Sequence, residues 1–272
     1  MMRSRYESEV FNLERIEYGI AVNKLIPVYN QSTSKGNQAK YTNGKLWIKL
    51  NYLGYEDLAE VFTSELLKYS NLETKEYVEY KLCVLRDEMQ GKTFNGCICK
   101  QFTQPGESVF TVGRILQKYG VSQKTLDETK DMDKRLDMIV SNVYRETEID
   151  ITNYLRKLIT LDAIILNEDR HIFNIALIVN EVGEYKLAPI YDNGLSLLSD
   201  THHYGLDIQP NKLIRKIKAR PLNKSFKKQV ELLGTGFVLK RTQVDELVEK
   251  FNDKRIKAVI DNAKESYPQL FV

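Results

Sequence analysis

Cysteine is scarce in this sequence. Only Cys83, Cys97 and Cys99 occur in 272 residues. An odd, sparse set argues against a disulfide framework and fits a reducing compartment. Cys97 and Cys99 alternate on a strand-like stretch with no second Cys/His pair nearby, so they read as strand packing and not as half of a zinc site. No apolar run approaches a membrane span, and the N-terminal MMRSRYESEV has no apolar signal core. A cytoplasmic protein is the expectation. Low-complexity tracts and internal repeats are absent too, and with 42% hydrophobic and 28% charged residues the default is a globular chain. Its length suffices for one two-lobed unit or two small domains.

Charge of neither sign dominates, but it is unevenly placed. The chain carries +3 overall, while KLIRKIKARPLNKSFKK, from Lys212 to Lys228, holds eight basic residues and no acidic ones, leaving −5 for the remainder. The plain reading is a solvated helix face near a proline break; the functional one is a patch for an acidic partner, phosphate or nucleic acid.

The first hundred residues read as strands around one helix. GIAVNKLIPVY and GKLWIKLNY are β-branched and aromatic with partial alternation, and the small, polar NQSTSKGNQAKYTNG between them has a loop composition. YEDLAEVFTSELLKYSN is an amphipathic helix, and YVEYKLCVLRDEMQGKTFNGCICKQF supplies two or three strands broken at Gly91 and Asn95-Gly96. After TQPGES the pattern turns helical. A lobe boundary is expected near Thr103 to Gly106, dividing residues 1–103 from 104–272. ITNYLRKLITLDAIILN is a long helix, followed by a hairpin from Ile175 to Ile190 and a final helical region from about Thr242.

Between that long helix and the hairpin lies NEDRHIFN, three charges and a histidine set between two apolar runs. Charges there are costly unless paired or used. With the turn near Val182-Gly183, residues paired across the hairpin should have numbers summing to about 365, and Asn174 and Asp192 sum to 366. They are expected to face each other with Cα atoms about 5 Å apart. An amide oxygen beside a carboxylate suits Mg²⁺, which commonly takes one or two carboxylates plus phosphate oxygens. Asp169, in the loop leaving the helix, can reach the same cleft. A phosphoryl transferase needs this set: Asp192 and Asn174 for metal, Asp169 to orient or deprotonate an attacking hydroxyl. The plain alternative is a polar strand end with Asp169 as a cap.

Upstream, Leu46, Ile48 and Leu50 share one face of a strand and Lys49 projects from the other, beside Trp47. On the next helix Leu58, Val61, Phe62 and Tyr69 form an apolar stripe; at about 100° per residue Glu65 falls inside it. A buried glutamate requires a cation, and Lys49 is the expected partner. Lys35-Gly36-Asn37-Gln38-Ala39-Lys40 could offer backbone N–H groups to phosphates, but it is neither a GxGxxG loop nor a Walker A sequence.

NEDRHIFN followed by LAPIYDNG resembles the HipA-like kinases, atypical bacterial Ser/Thr kinases with a protein-kinase-related fold. Asn167, Asp169, His171, Asn174, Pro189, Tyr191 and Asp192 match their N-x-D-x-H-x-x-N loop and laPlYD segment, and Gly36, Gln38 and Lys40 match their G-x-Q-x-K phosphate loop. The resemblance implies an α+β, bilobal, protein-kinase-like fold with a strand-rich N-terminal lobe, a mainly helical C-terminal lobe, and ATP–Mg²⁺ between them. It implies Asp169 as catalytic base, Asn174 and Asp192 on magnesium, Lys49 on nucleotide phosphate, and residues 36–40 over the phosphates. A protein Ser/Thr hydroxyl is the implied acceptor, and an antitoxin-like protein the implied partner. Only 48 residues precede Lys49, so the resemblance is to the kinase core alone, and Lys35 stands where that family tends to carry a regulatory serine. DRHIFNI…YDNG is also similar to the DRHxxN…DFG of phosphoinositide kinases, which keeps a lipid or small-molecule kinase open. His171 would stabilise the transferring phosphoryl group or simply pack the loop; His202 and His203 read as loop residues. A nucleotide-binding pseudokinase or a toxin-like regulatory partner that works by occupancy is the non-enzyme alternative, and the intact trio Asp169, Asn174 and Asp192 weighs against it.

Overall fold

A computed structural model describes residues 15–18, 26–27, 39–87 and 91–272. Gly36 and Gln38 of the expected phosphate loop, and most of the GIAVNKLIPVY segment, lie outside the described residues. Among the described residues, nine strands form two sheets. In the first, the order is β1 (Ile16–Tyr18), β5 (Tyr80–Asp87), β6 (Lys92–Lys100), β4 (Leu46–Leu50), β3 (Lys40–Thr42), β2 (Ile26–Pro27). β1 and β5 run parallel and the other neighbours antiparallel. The second sheet is β7 (Ser108–Thr111), β8 (Ala176–Val179) and β9 (Tyr185–Leu187), all antiparallel.

The alternation read from the sequence sets the two faces of the first sheet. Ile48 and Leu50 pack with Cys83, Leu85 and Ile98 on one side. Trp47, Tyr80, Leu82, Cys97 and Cys99 pack on the other, against helix α1 (Glu56–Leu67), and Lys49, in register with Cys97, points the same way. Asn95-Gly96 is not a break: both residues sit inside β6. There the glycine lets two strands close up, since a Cβ at Gly96 would lie 2.2 Å from the Lys49 carbonyl oxygen.

The rest is mainly helical: α2 (Val112–Lys118), α3 (Gln123–Glu128), α4 (Met132–Thr147), α5 (Thr152–Ile165), α6 (Pro210–Ile214), α7 (Phe226–Leu233), α8 (Arg241–Phe251) and α9 (Lys254–Ser266). α5 lies at the centre, with Leu155, Leu158, Ile159, Leu161 and Ile164 at most 1% exposed. No helix among the described residues is long and apolar enough to cross a membrane. The described residues therefore form a mainly antiparallel-sheet lobe with one packed helix, followed by a helical part carrying a short ribbon.

α1 is buried on every side except one, and that side is Glu65. Phe62 meets Phe251 of α8 edge-on at 5.0 Å. At the helix start, the Glu56 carboxylate accepts the N–H groups of Tyr52 (3.0 Å), Leu53 (2.6 Å) and Gly54 (2.9 Å). The chain after Asp192 closes on that turn, because Tyr55 N and Thr201 N donate to Ser199 O and Leu53 O respectively. A Cβ at Gly54 would lie 2.0 Å from Ser199 O, so the close approach depends on the missing side chain.

Candidate active site

The site is built where α5 ends. Leu166 takes a left-handed conformation, φ 54°, and stops the helix. The Asn167 side chain then donates to Asp162 Oδ1 (3.0 Å) and accepts from Asp169 N (3.0 Å). The charges of NEDRHIFN go to different partners. Glu168 accepts from the Tyr204 hydroxyl at 2.7 Å. Arg170 is fully buried and pairs with Asp162, whose carboxylate is also fully buried (3.1 Å). Its fork also donates to Asn174 O (3.0 Å), Tyr191 O (3.1 Å) and Asn193 Oδ1 (2.6 Å). One guanidinium thus ties α5, the loop after it and the chain on both sides of Asp192.

That clamp replaces the expected register. The hairpin pairs Leu177 with Leu187, Ile178 with Lys186 and Val179 with Tyr185, so numbers sum to 364, and Asn174 and Asp192 are not register partners. Asn174 closes a 3-10 turn, Ile172–Asn174, before β8 begins. The returning arm leaves β8 at Pro189, which has no N–H to give. Ile190 N instead donates to Glu76 O (2.7 Å), and Ile190 O accepts from Val78 N (3.0 Å). Asp192 follows in the left-handed region, φ 60°. A single Arg170 nitrogen holds the carbonyls of Asn174 and Tyr191, so the chain at 174 is drawn close to the chain just before Asp192.

Lys49 crosses from the sheet lobe to meet them. Its Nζ lies 2.5 Å from Glu60 Oε1 and 2.8 Å from Asp192 Oδ1. Lys40, on the neighbouring strand, reaches Asp192 Oδ2 at 3.2 Å. Burial alone would raise the Asp192 carboxyl, but the two ammonium groups hold it well below the usual carboxylate range. Burial likewise opposes the Lys49 charge, yet Asp192 and Glu60 push its pKa well above the ordinary value.

The partner of Lys49 is Glu60, not Glu65. Glu65 turns outward and pairs with Lys68 at 2.7 Å. A helix buried nearly all round has no single apolar stripe, so projecting the stripe could not pick the glutamate that faces the sheet. Glu60 also accepts Asn193 N through Oε2 (3.0 Å), which fixes α1 to the residue after Asp192. Replacing Glu60 with glutamine is therefore expected to cost about 1–3 kcal/mol in chemical denaturation. Glu65→Gln, at a half-exposed pair, should change stability by less than about 0.5 kcal/mol.

Asp169 sits at the open side of this cluster, its side chain 15% exposed. Asn174 Nδ2 donates to its carbonyl (2.9 Å) and to its Oδ2 (3.2 Å). His171 Nδ1 accepts from Phe173 N at 3.2 Å, which places the ring proton on Nε2. That atom is buried without a hydrogen-bond partner among the described residues and lies 3.8 Å from Asp169 Oδ1. Burial, with the Arg220 and Arg170 charges, lowers His171 to about 4 against the pull of Asp192. The unfolded chain takes up a proton below its ordinary value of about 6.5, while the folded chain refuses it until about 4. The stability from neutral His171 is fully present above that window and lost as pH falls through it, to a limit on the order of 3 kcal/mol. Urea unfolding of wild type and His171→Asn across this range should show the slope in the first and its loss in the second.

A cavity of about 950 Å³ opens beside the cluster. Cys99, Gln101, Phe102, Ile178, Ala188 and Ile190 are among its lining, and none of Lys40, Lys49, Asp169, Asn174 or Asp192 is. Among the described residues no group of three or more His, Cys, Asp or Glu stands ready for a metal. The donors present, one carboxylate and one amide oxygen beside two lysines, fit an ion that takes its remaining ligands from phosphate oxygens and water.

Two residues central to this site were not singled out by sequence, Arg170 and Glu60. A signal for the first was present: Asp162 interrupts the apolar LITLDAIIL, and a buried carboxylate calls for a cation.

No family model and no curated protein sequence matches the chain. Among solved structures, it is similar to the Helicobacter pylori proinflammatory kinase CtkA, with 13% identity, 93% of this chain and 95% of that one covered, and a TM-score of 0.61. It is also similar to HipA of a Shewanella oneidensis toxin–antitoxin system, solved with HipB and operator DNA. There the identity is 10%, the TM-score 0.40, and 95% of this chain spans 65% of that one. The fold is thus kinase-like.

Proposed function

We propose that this protein is an ATP- and Mg²⁺-dependent phosphotransferase whose acceptor is a protein serine or threonine hydroxyl. The observation that carries it is Lys49, whose ammonium meets Glu60 and Asp192 at once. A sheet-borne lysine, a helix-borne glutamate and the acid after a ribbon converge as phosphoryl transfer requires. The kinase-like fold shared with CtkA supports it.

In this reading Asp192 and the Asn174 amide oxygen hold magnesium, which when bound offsets the charge of the phosphates. Lys49 and Lys40, now on Asp192, move to phosphate oxygens once the nucleotide arrives. The apolar wall at Cys99, Phe102 and Ile178 is of a size and character to take an adenine ring. Asp169 accepts the proton of the attacking hydroxyl, at hydrogen-bond reach. The His171 Nε2–H, with no acceptor among the described residues, donates to the transferring group.

The test is transfer of labelled phosphate from ATP to a bacterial lysate by wild type, Asp169→Asn and Asp192→Asn. Labelled protein bands that vanish in both variants are expected. Label in the lipid extract would replace the acceptor with a lipid, and ATP binding with no transfer would leave a pseudokinase.

A further inference from the structure

The basic block at 212–228 has no part in the cluster above. Much of it is irregular chain between α6 and α7, yet its backbone is held firmly. Ala219 and Leu222 are buried. Ala219 N donates to Lys224 O (3.0 Å), and Leu222 N donates to Gln229 Oε1 (2.9 Å). Arg135 Nη1 donates to the carbonyls of Pro221 (3.3 Å) and Leu222 (3.1 Å). Seven of the eight basic side chains are exposed and Arg220 is half-buried. Among the described residues their one ion pair is Lys227 with Glu231, at 4.0 Å between two exposed side chains. Among the described residues Lys218, Arg220 and Lys224 of this held loop have no ion-pair partner.

This loop adjoins the Asp169 loop. Arg135, which holds Pro221 and Leu222, also donates through Nη2 to Asp127 O of α3 (3.0 Å). Gln123, at the start of the same short helix, reaches Ile172 N at 3.5 Å. One helix therefore spaces the basic loop from residues 169–174, and the Arg220 charge is felt at His171.

We propose that Lys218, Arg220 and Lys224 form a docking rim for an acidic segment of the protein that supplies the acceptor hydroxyl, with Arg220 the specificity-determining residue; this deepens, and rests on, the phosphotransferase reading. A guanidinium fork matches a carboxylate bidentately. Nucleic acid fits less well. Single strands bind on stacked aromatic side chains, and the only aromatic in the block, Phe226, is buried.

The experiment is fluorescence anisotropy on the full chain. Its probes are a labelled peptide with one serine among aspartates and glutamates, the same peptide with asparagine and glutamine in their place, and a single-stranded oligonucleotide. Wild type should prefer the acidic peptide, more weakly at high salt. Arg220→Glu and, separately, the exposed Lys218→Glu should each weaken it about tenfold, with Arg220→Lys intermediate and the wild-type unfolding temperature kept. Equal binding of both peptides, or no effect of charge reversal, overturns the proposal. So does an oligonucleotide that binds tighter than the acidic peptide and loses affinity in the same variants. Acidic-peptide binding without phosphate transfer to any serine would sink the phosphotransferase reading and leave the acidic docking face. Transfer without preference for the acidic peptide would do the reverse.

Discussion

Arg170→Met is expected to lower stability by about 3–5 kcal/mol, the usual cost of removing one partner of a buried pair, and to lower Tm by roughly 10 °C for a chain of this size. The size of the effect follows from what is stranded. Asp162 stays fully buried with only Asn167 as side-chain partner, and burial then drives its carboxyl to take up a proton. The carbonyls of Asn174 and Tyr191 and the Asn193 amide oxygen lose their donor as well. Arg170→Lys should not rescue, because one ammonium cannot span four acceptors in a planar fork. Arg170→Met with Asp162→Leu should recover much of the loss, since replacing both members of a buried pair is far cheaper than breaking it. Thermal and urea unfolding of the four proteins checks this, and equal losses in the single and double variants would remove Arg170–Asp162 as the keystone.

Asp169→Asn is expected to reduce phosphate transfer by about 10²–10⁴-fold while ATP affinity stays within a few-fold of wild type. The asparagine keeps the shape and can still accept from Asn174 Nδ2, which spans 3.2 Å to the carboxylate now. The carbonyl that holds Asn174 and His171 N is untouched. What is lost is a group able to take a proton from a hydroxyl. ATP affinity by calorimetry and transfer under single-turnover conditions separate the two. A parallel loss of both would assign Asp169 a structural or metal-holding task.

Much of this was legible in the sequence because local rules decided it. Alternation in KLWIKL put Lys49 on the face opposite Ile48. The knot of charge between two apolar runs drew attention to the loop after the long helix, and the helix before it and the ribbon after it are where they were expected. What failed was decided by tertiary contact. Glu65 lay in a stripe that loses meaning once a helix is covered on all sides. The Asn174–Asp192 register assumed a ribbon paired to its base, whereas the arm leaves at Pro189 for the strand entry near Tyr77. Arg170 was hidden because its partners lie at four separate places along the chain. The Lys40–Asp192 contact joins residues 152 positions apart, which no spacing rule reaches.

That contact also gives the sharpest test of the metal assignment. With Lys40 and Lys49 both on Asp192, magnesium and nucleotide would, in the proposed reading, take over these contacts together. The decisive measurement is ATP affinity as a function of Mg²⁺ concentration, in wild type and Asp192→Asn. Wild-type affinity should climb with Mg²⁺, and the variant should bind at least about tenfold more weakly at saturating Mg²⁺ and respond little to it. If Asp192→Asn binds ATP as tightly as wild type and with the same Mg²⁺ dependence, Asp192 is not the metal ligand and the account fails at its centre.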